Sequence, residues 1–392
     1  MNWNRMLSKQ VTDLPRSGIR EFFDLVTGSK DIISLGVGEP DFVTPWNIRE
    51  AAITSLEKGH TTYTSNYGLE SLRRAIATYV EGFFNVSYDP LCEILPTVGV
   101  SEAIDLALRC LINPGDEVLY HEPCYVSYAP SVSLCYGIPK VVETSIDDLF
   151  ALNPARLEEA ITPKTKVLML NFPTNPTGSI APLETLKAIA DICIRHDLFV
   201  LTDEIYSELR YDGVKHVSIA SLPGMKERTL LLHGFSKAFA MTGFRLGYAC
   251  GPHELIEQMM KIHSYTMICP TITSQEAGIE ALKNGVSAMQ EMRDSYHMRR
   301  DYVVGRFNDM GLDCHMPGGA FYTFPSVQRF GISSKDFAMR LLTEHKVAAV
   351  PGTAFGACGE GYLRCCYATA YSLLEEACDK MARFCEQLER EK

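Results

Sequence analysis

The sequence predicts an α/β fold in which a mostly parallel central sheet is sandwiched by helices and a smaller α+β domain is attached to it. Three observations carry this expectation. Seven short apolar runs, residues 94–97, 118–120, 141–143, 167–170, 199–202, 230–232 and 246–249, alternate with helical or loop stretches over one region. That alternation is the mark of strands covered on both faces. After about residue 288 the pattern changes to a long polar–apolar helix, residues 292–310, and then to a strand-rich segment. A chain of 392 residues with 46% hydrophobic content can bury a sizeable core and form two domains. The expected division is 1–46 as an N-terminal segment joining the small domain, 47–288 as the large domain and 289–392 as the C-terminal small domain. Glycine-bearing runs 317–322 and 351–356 read as loops, and hinge motion there fits a two-domain layout.

Each strand carries its own reason. Residues 198–202, Leu-Phe-Val-Leu-Thr, are apolar with β-branched and aromatic members, and they end on Asp203-Glu204-Ile205-Tyr206. In an open α/β sheet the carboxyl end of a strand is where ligands are met, so Asp203 stands at a site position. Residues 166–170, Lys-Val-Leu-Met-Leu, lead into Asn171-Phe172-Pro173-Thr174-Asn175-Pro176-Thr177-Gly178, where prolines on both sides of Asn175 restrict its backbone and aim its amide. The run 94–97 leads into Val98-Gly99-Val100-Ser101-Glu102, a strand-to-helix turn whose N–H groups suit an anion.

The most specific segment is 234–247, Gly-Phe-Ser-Lys-Ala-Phe-Ala-Met-Thr-Gly-Phe-Arg-Leu-Gly. It sets Lys237 among apolar residues with Arg245 eight positions on. A desolvated lysine near a second cation loses its proton more readily and becomes an amine nucleophile toward carbonyls. Ser236 and Arg245 can hold a phosphate. An aldehyde bearing a phosphate describes pyridoxal 5'-phosphate, and a carboxylate such as Asp203 would keep that molecule's pyridine nitrogen protonated. An isolated Ser-Lys pair would read as a loop whose lysine reaches water; the company of the other blocks reverses that.

Together the blocks resemble the class I and II aminotransferases of fold type I, from about Ile33 to Ala370. The resemblance implies Lys237 as the Schiff-base lysine, Asp203 as the pyridinium partner, and Asn175 and Tyr206 as donors to the cofactor's phenolic oxygen. Ser236, Arg245 and the turn Gly99-Val100-Ser101 would contact the phosphate, and Tyr125 would stack on the ring. Arg364, in Gly361-Tyr362-Leu363-Arg364-Cys365-Cys366, would take the α-carboxylate with its planar fork. Asn175 would share that contact, and Gly38 would meet the carboxylate through its backbone. Tyr63 would reach the phosphate of a neighbouring subunit, which implies a homodimer with sites at the interface. Lys237 would then move the α-proton, and amino acids and 2-oxo acids such as 2-oxoglutarate would react in ping-pong order.

Substrate choice is less defined. An aspartate-using branch carries a lysine at the position of Ser101; a serine there does not replace an ion pair, so the expectation is an aromatic or broad-range enzyme. Ser17-Gly18-Ile19-Arg20-Glu21-Phe22-Phe23 and the block 203–209 also resemble N-acetyl-diaminopimelate aminotransferases. A β-lyase shares the lysine, aspartate and arginine. A non-catalytic sensor is disfavoured, because none of the catalytic residues is missing and no appended DNA-binding module is expected.

Composition sets outer bounds. A net charge of −11 argues against nucleic acid or an anionic membrane surface as partner. Thirteen scattered cysteines without C-x-x-C or zinc spacing suggest a reducing, cytoplasmic setting and no metal. No signal peptide or membrane span is expected from the N-terminal residues. Gly36-x-Gly38 lacks a third glycine for a dinucleotide fingerprint. His121 and His233 read as strand-end residues, Cys365 and Cys366 as small core residues, and Asp147-Asp148 and Glu158-Glu159 as solvated faces.

Overall fold

The computed structural model describes residues 1–15, 18 and 31–392. Its centre is a seven-stranded sheet of β1 (Ile94–Thr97), β2 (Glu117–Glu122), β3 (Ile138–Glu143), β4 (Thr165–Asn171), β5 (Phe199–Asp203), β6 (Thr229–Gly234) and β7 (Gly247–Cys250). Their spatial order is β1-β7-β6-β5-β4-β2-β3. The pairs from β3 through β6 are parallel, and β7 runs antiparallel to both β6 and β1. Every predicted apolar run falls on one of these strands.

The side-chain period of two explains why the runs are apolar throughout. Val118, Tyr120, Val167, Met169 and Leu201 face a core shared with helices Val100–Leu111 and His253–Thr266. Leu119, Leu168, Leu170 and Val200 face the other side, against Leu186, Ile189 and Cys193 of helix Leu183–Arg195. Over the central strands neither face meets water, so neither face is polar; the edge strand β3 is the exception, with Ile138 and Val141 exposed and only Val142 buried.

The long helix spans Val286–Asp309, beginning earlier than the expected 292. Beyond it the structure differs from the strand-rich expectation. Three short strands, Tyr322–Thr323, Val350–Pro351 and Leu363–Cys366, form an antiparallel sheet, but helices Ser334–His345 and Tyr371–Glu391 hold more of the segment. The last helix buries Leu374, Ala377, Cys378, Met381, Phe384, Cys385 and Leu388. That is a repeat of three and four residues, an amphipathic stripe that belongs to a helix. Near the chain start, Ile33–Ser34 pairs in parallel with Val347–Ala348, and Cys366 N–H donates to Leu35 O at 2.7 Å. These links bring residues 33–38 over the carboxyl ends of the large sheet's strands. No helix among the described residues is long and apolar enough to cross a membrane, and no metal-ligating cluster is found among them.

Candidate active site

Five strand ends deliver side chains to one cavity of about 410 Å³. β1 leads to Val100 and Ser101, β2 to Tyr125 and Tyr128, β4 to Asn171 and Asn175, β5 to Asp203 and Tyr206, and β6 to Ser236 and Lys237. Arg245 precedes β7, Gly38 comes from the N-terminal segment, and Arg364 and Tyr322 come from the small antiparallel sheet; all four line the same cavity.

Lys237 Nζ donates to Gly38 O at 2.7 Å. Loss of water around it pulls its pKa from 10.5 down to about 8. Desolvation is the main cause; Arg364 and Arg245 add to it, while Cys366 and Glu39 oppose it. Of the two causes expected from sequence, desolvation is thus the larger and Arg245 the smaller.

Asp203 is buried at the cavity floor, and desolvation raises its carboxyl to about 6. Two donors oppose that rise. Tyr128 Oη donates to Oδ2 at 2.7 Å, and the Ile205 N–H donates to Oδ1 at 3.3 Å. Asn171 ties this floor to the adjacent turn: its Nδ2 donates to Asp203 O at 2.8 Å, and its Oδ1 accepts the Asn175 N–H at 3.1 Å. The turn holds cis bonds at Phe172–Pro173 and Asn175–Pro176.

Arg364 is buried with its guanidinium carbon 4.7 Å from the ring centroids of both Tyr322 and Phe355. Nη1 donates to Asn175 Oδ1 at 3.0 Å and Nη2 to Gly36 O at 2.5 Å. The two ring contacts and the two hydrogen bonds together restrain the planar fork. Tyr322 Oη also lies 2.9 Å from Tyr206 Oη. A Cβ on Gly38 would stand 2.4 Å from Tyr322 Oη, so only glycine lets that backbone come so close.

At the opposite end, Gly99 caps helix Val100–Leu111 with φ of 78°, which favours glycine, and with no side-chain cap. A Cβ there would meet Arg245 Nη2 at 2.7 Å. Helix N–H groups, Arg245 and Ser236 thus converge on one exposed corner. Such donors suit a phosphate, and Tyr125, Ile205, Asp203 and Lys237 line the same cavity.

Of the residues expected from sequence, Gly38, Val100, Ser101, Tyr125, Asn175, Asp203, Tyr206, Ser236, Lys237, Arg245 and Arg364 line the cavity. Gly99 lies just behind it. Tyr63 does not join them; it is 80% exposed and away from the wall. The segment 17–23, apart from Gly18, lies outside the described residues. Sequence reasoning missed Tyr128, Asn171 and Tyr322. Tyr128 stands three residues after Tyr125 and Asn171 four before Asn175, so proximity to recognised positions was the available signal. Tyr322 sits in a run read only as a loop. His121 and His233 are buried near strand ends; burial pushes His121 down to about 4, while His233 pairs with Glu208 at 2.9 Å.

The description "Aminotransferase class I and II" belongs to the family model that matches residues 30–381. The YugH protein of Bacillus subtilis is 52% identical over 378 residues, covering 96% of this chain and 98% of its own. An aspartate aminotransferase of Pyrococcus abyssi is 48% identical, covering 94% of this chain and 95% of its own. The crystal structure of an aromatic aminotransferase from Pyrococcus horikoshii superposes with a TM-score of 0.90 at 45% identity, covering 94% of this chain and 99% of that one. With its fold and its match extending over nearly the whole length, the chain belongs to the class I and II aminotransferases, whose members use pyridoxal 5'-phosphate.

Proposed function

We propose that the protein moves an amino group from an aromatic or broad range of L-amino acids to a 2-oxo acid such as 2-oxoglutarate, in ping-pong order, as a cytoplasmic homodimer. The observation that carries the substrate reading is the cation count of the cavity. Among the described residues its wall holds Lys237, Arg245 and Arg364 and no other lysine or arginine. One serves the chemistry, one the phosphate and one the α-carboxylate. A distal carboxylate is left with neutral donors such as Ser101, while Val37, Ile104 and Tyr125 offer apolar surface. Such a wall accepts a dicarboxylate without requiring one.

Pyridoxal 5'-phosphate, when bound, supplies the aldehyde carbon that takes the amino group and a ring that draws electrons from the substrate's α-carbon. With a pKa of about 8, Lys237 Nζ is neutral in a useful fraction at neutral pH, so it would serve as the amine nucleophile toward a carbonyl and as the base for the α-proton. Gly38 O holds Nζ on that path. Arg364 orients the α-carboxylate, and its tie to Asn175 fixes both groups relative to the turn. Tyr206 would donate toward the phenolic oxygen. The Tyr206–Tyr322 contact favours Tyr322 as donor, since each hydroxyl has one proton and that of Tyr206 is needed in the cavity.

Residues 1–46 and 289–392 would form one unit that closes on 47–288, a reading supported by the pairing of Ile33–Ser34 with Val347–Ala348. Tyr63 would contribute from the second subunit, in keeping with its exposure.

The test is the visible spectrum of the loaded protein mixed with single amino acids and no oxo acid. Bleaching by phenylalanine and tyrosine is expected. Inert aromatic donors beside an active aspartate or N-acetyl-diaminopimelate would refute the substrate reading. Pyruvate and ammonia released from a cysteine conjugate, without any oxo-acid acceptor, would favour a β-lyase. Two variants refine the roles. Arg364→Ala should raise KM for every amino acid alike by roughly 10–100-fold, the worth of a charge-assisted bidentate contact. Tyr128→Phe removes one of the two donors on Asp203 and should lower turnover by about tenfold, the loss of a hydrogen bond to a charged group; steady-state rates at pH 7 decide it.

A further inference from the structure

We infer that Glu102 and His263 form a positioning pair that shapes the anion-binding turn at the start of helix Val100–Leu111, a role that rests on the reading of that turn as the phosphate site. Glu102 is in the first turn of this helix, an unusual place for a carboxylate if an anion is to bind there, because the two charges compete for the same N–H groups and dipole. The structure shows how the conflict is resolved. Val100, Ser101 and Ile104 line the cavity, but Glu102 does not. Its side chain turns toward helix His253–Thr266, and both oxygens are occupied there and behind the turn.

Oε2 accepts the Val98 N–H at 2.5 Å. This pins the residue that precedes Gly99 and takes one donor that lies outside the helix, so the helical N–H groups are left for a ligand. Oε1 pairs with His263 Nδ1 at 2.6 Å. A carboxylate can only accept, so Nδ1 carries the proton. His263 is completely buried, and its Nε2 has no partner among the described residues. The ring therefore makes a single polar contact, to Glu102, and nothing else polar explains its presence in that core.

The turn is tightly held on its other side as well. A Cβ on Gly247 would lie 2.6 Å from Val100 N and 2.7 Å from Gly99 C, so β7 presses directly on it. Between this glycine contact and the Glu102 anchor the backbone at 98–101 has one available course. His263 draws the Glu102 charge away from the cavity and keeps the anchor in place. Two residues 161 positions apart thus set the geometry and the field at one helix end.

The test uses the full-length protein stripped of cofactor and measures affinity for three probes: pyridoxal 5'-phosphate, pyridoxal and inorganic phosphate. Glu102→Ala loses the anchor on Val98 and should weaken both phosphate-bearing probes by about tenfold, while pyridoxal stays within about twofold. Glu102→Gln keeps an oxygen for the Val98 N–H and should stay within about threefold for all probes. His263→Leu should resemble Glu102→Ala, and His263→Gln, which can donate to Glu102, should recover most of the loss. Equal affinity of Glu102→Ala and the parent for the phosphate-bearing probes would overturn the pair's role. So would an equal loss for pyridoxal, which marks a merely structural defect. A parent protein that binds pyridoxal as tightly as pyridoxal 5'-phosphate would instead overturn the phosphate site itself, and the pair's role with it.

Discussion

Lys237→Ala is expected to abolish turnover, with kcat lowered at least about 10²–10⁴-fold, while affinity for inorganic phosphate is unchanged. The separation follows from where the groups lie. Lys237 Nζ rests on Gly38 O, whereas the corner proposed for the phosphate is lined by Ser236, Arg245, Val100 and Ser101. The visible absorbance of the loaded protein should also be lost, because it depends on a bond to Nζ. An unchanged spectrum would remove Lys237 from its role. The fold should survive, since desolvation makes the ammonium an unfavourable guest: its pKa is depressed from 10.5 to about 8. The sign can be checked independently. Between about pH 8 and pH 10.5 the unfolded chain holds this proton and the folded protein does not, so the lysine's contribution to stability rises with pH across that window. In the alanine variant this component of the pH dependence of unfolding should disappear. Reaction of the cofactor-free parent with an aldehyde should accelerate as pH rises through about 8.

The central strands were legible because both faces of the sheet are covered there, which leaves hydrophobic runs rather than an alternation that loops could imitate; the exposed edge strand β3 showed only through Val141 and Val142. The direction of β7 was not legible, since an antiparallel strand buried on both faces has the same composition as a parallel one. Helix Tyr371–Glu391 was legible in principle through the spacing of Leu374, Cys378, Met381, Cys385 and Leu388. Its cysteines and its many charged residues mask that period. Positions such as Lys237, Asp203 and Asn175 stood out because unusual local sequence surrounds them. Tyr128, Tyr322, Glu102 and His263 have hydrogen-bond partners 75 to 161 residues away. Nothing local distinguishes a tyrosine that will hydrogen-bond an aspartate from one that will fill a core; register and crossover decide it.

The same distinction separates how a residue packs from what it does at Asp203, where stability and activity should move in opposite directions. Burial raises its carboxyl from 3.8 to about 6, so the folded protein retains a proton that the unfolded chain has released. The folded pKa is the higher one: the carboxyl favours folding most below the unfolded value, and that advantage is lost as pH rises through about 6. At neutral pH, holding the bare carboxylate in the floor costs on the order of 3 kcal/mol. Asp203→Asn removes that cost and can keep the local bonds. The amide oxygen can accept the Ile205 N–H, and the amide nitrogen can donate to Tyr128 Oη, which accepts as readily as it donates. The cofactor-free variant should therefore unfold no earlier than the parent at pH 7.5. Turnover should nevertheless fall roughly 10²–10³-fold or more, since an amide carries no charge with which to hold a proton on the ring nitrogen. Cofactor affinity should fall far less, because the phosphate corner is untouched. The parent should also gain more thermal stability from added pyridoxal 5'-phosphate at pH 7.5 than at pH 5, as a cation placed against Asp203 rewards the ionised carboxylate, and this pH dependence should be absent in the asparagine variant. Near-parental turnover in that variant would remove Asp203 from the chemistry; a fall in unfolding temperature as large as the fall in rate would make it a structural residue only.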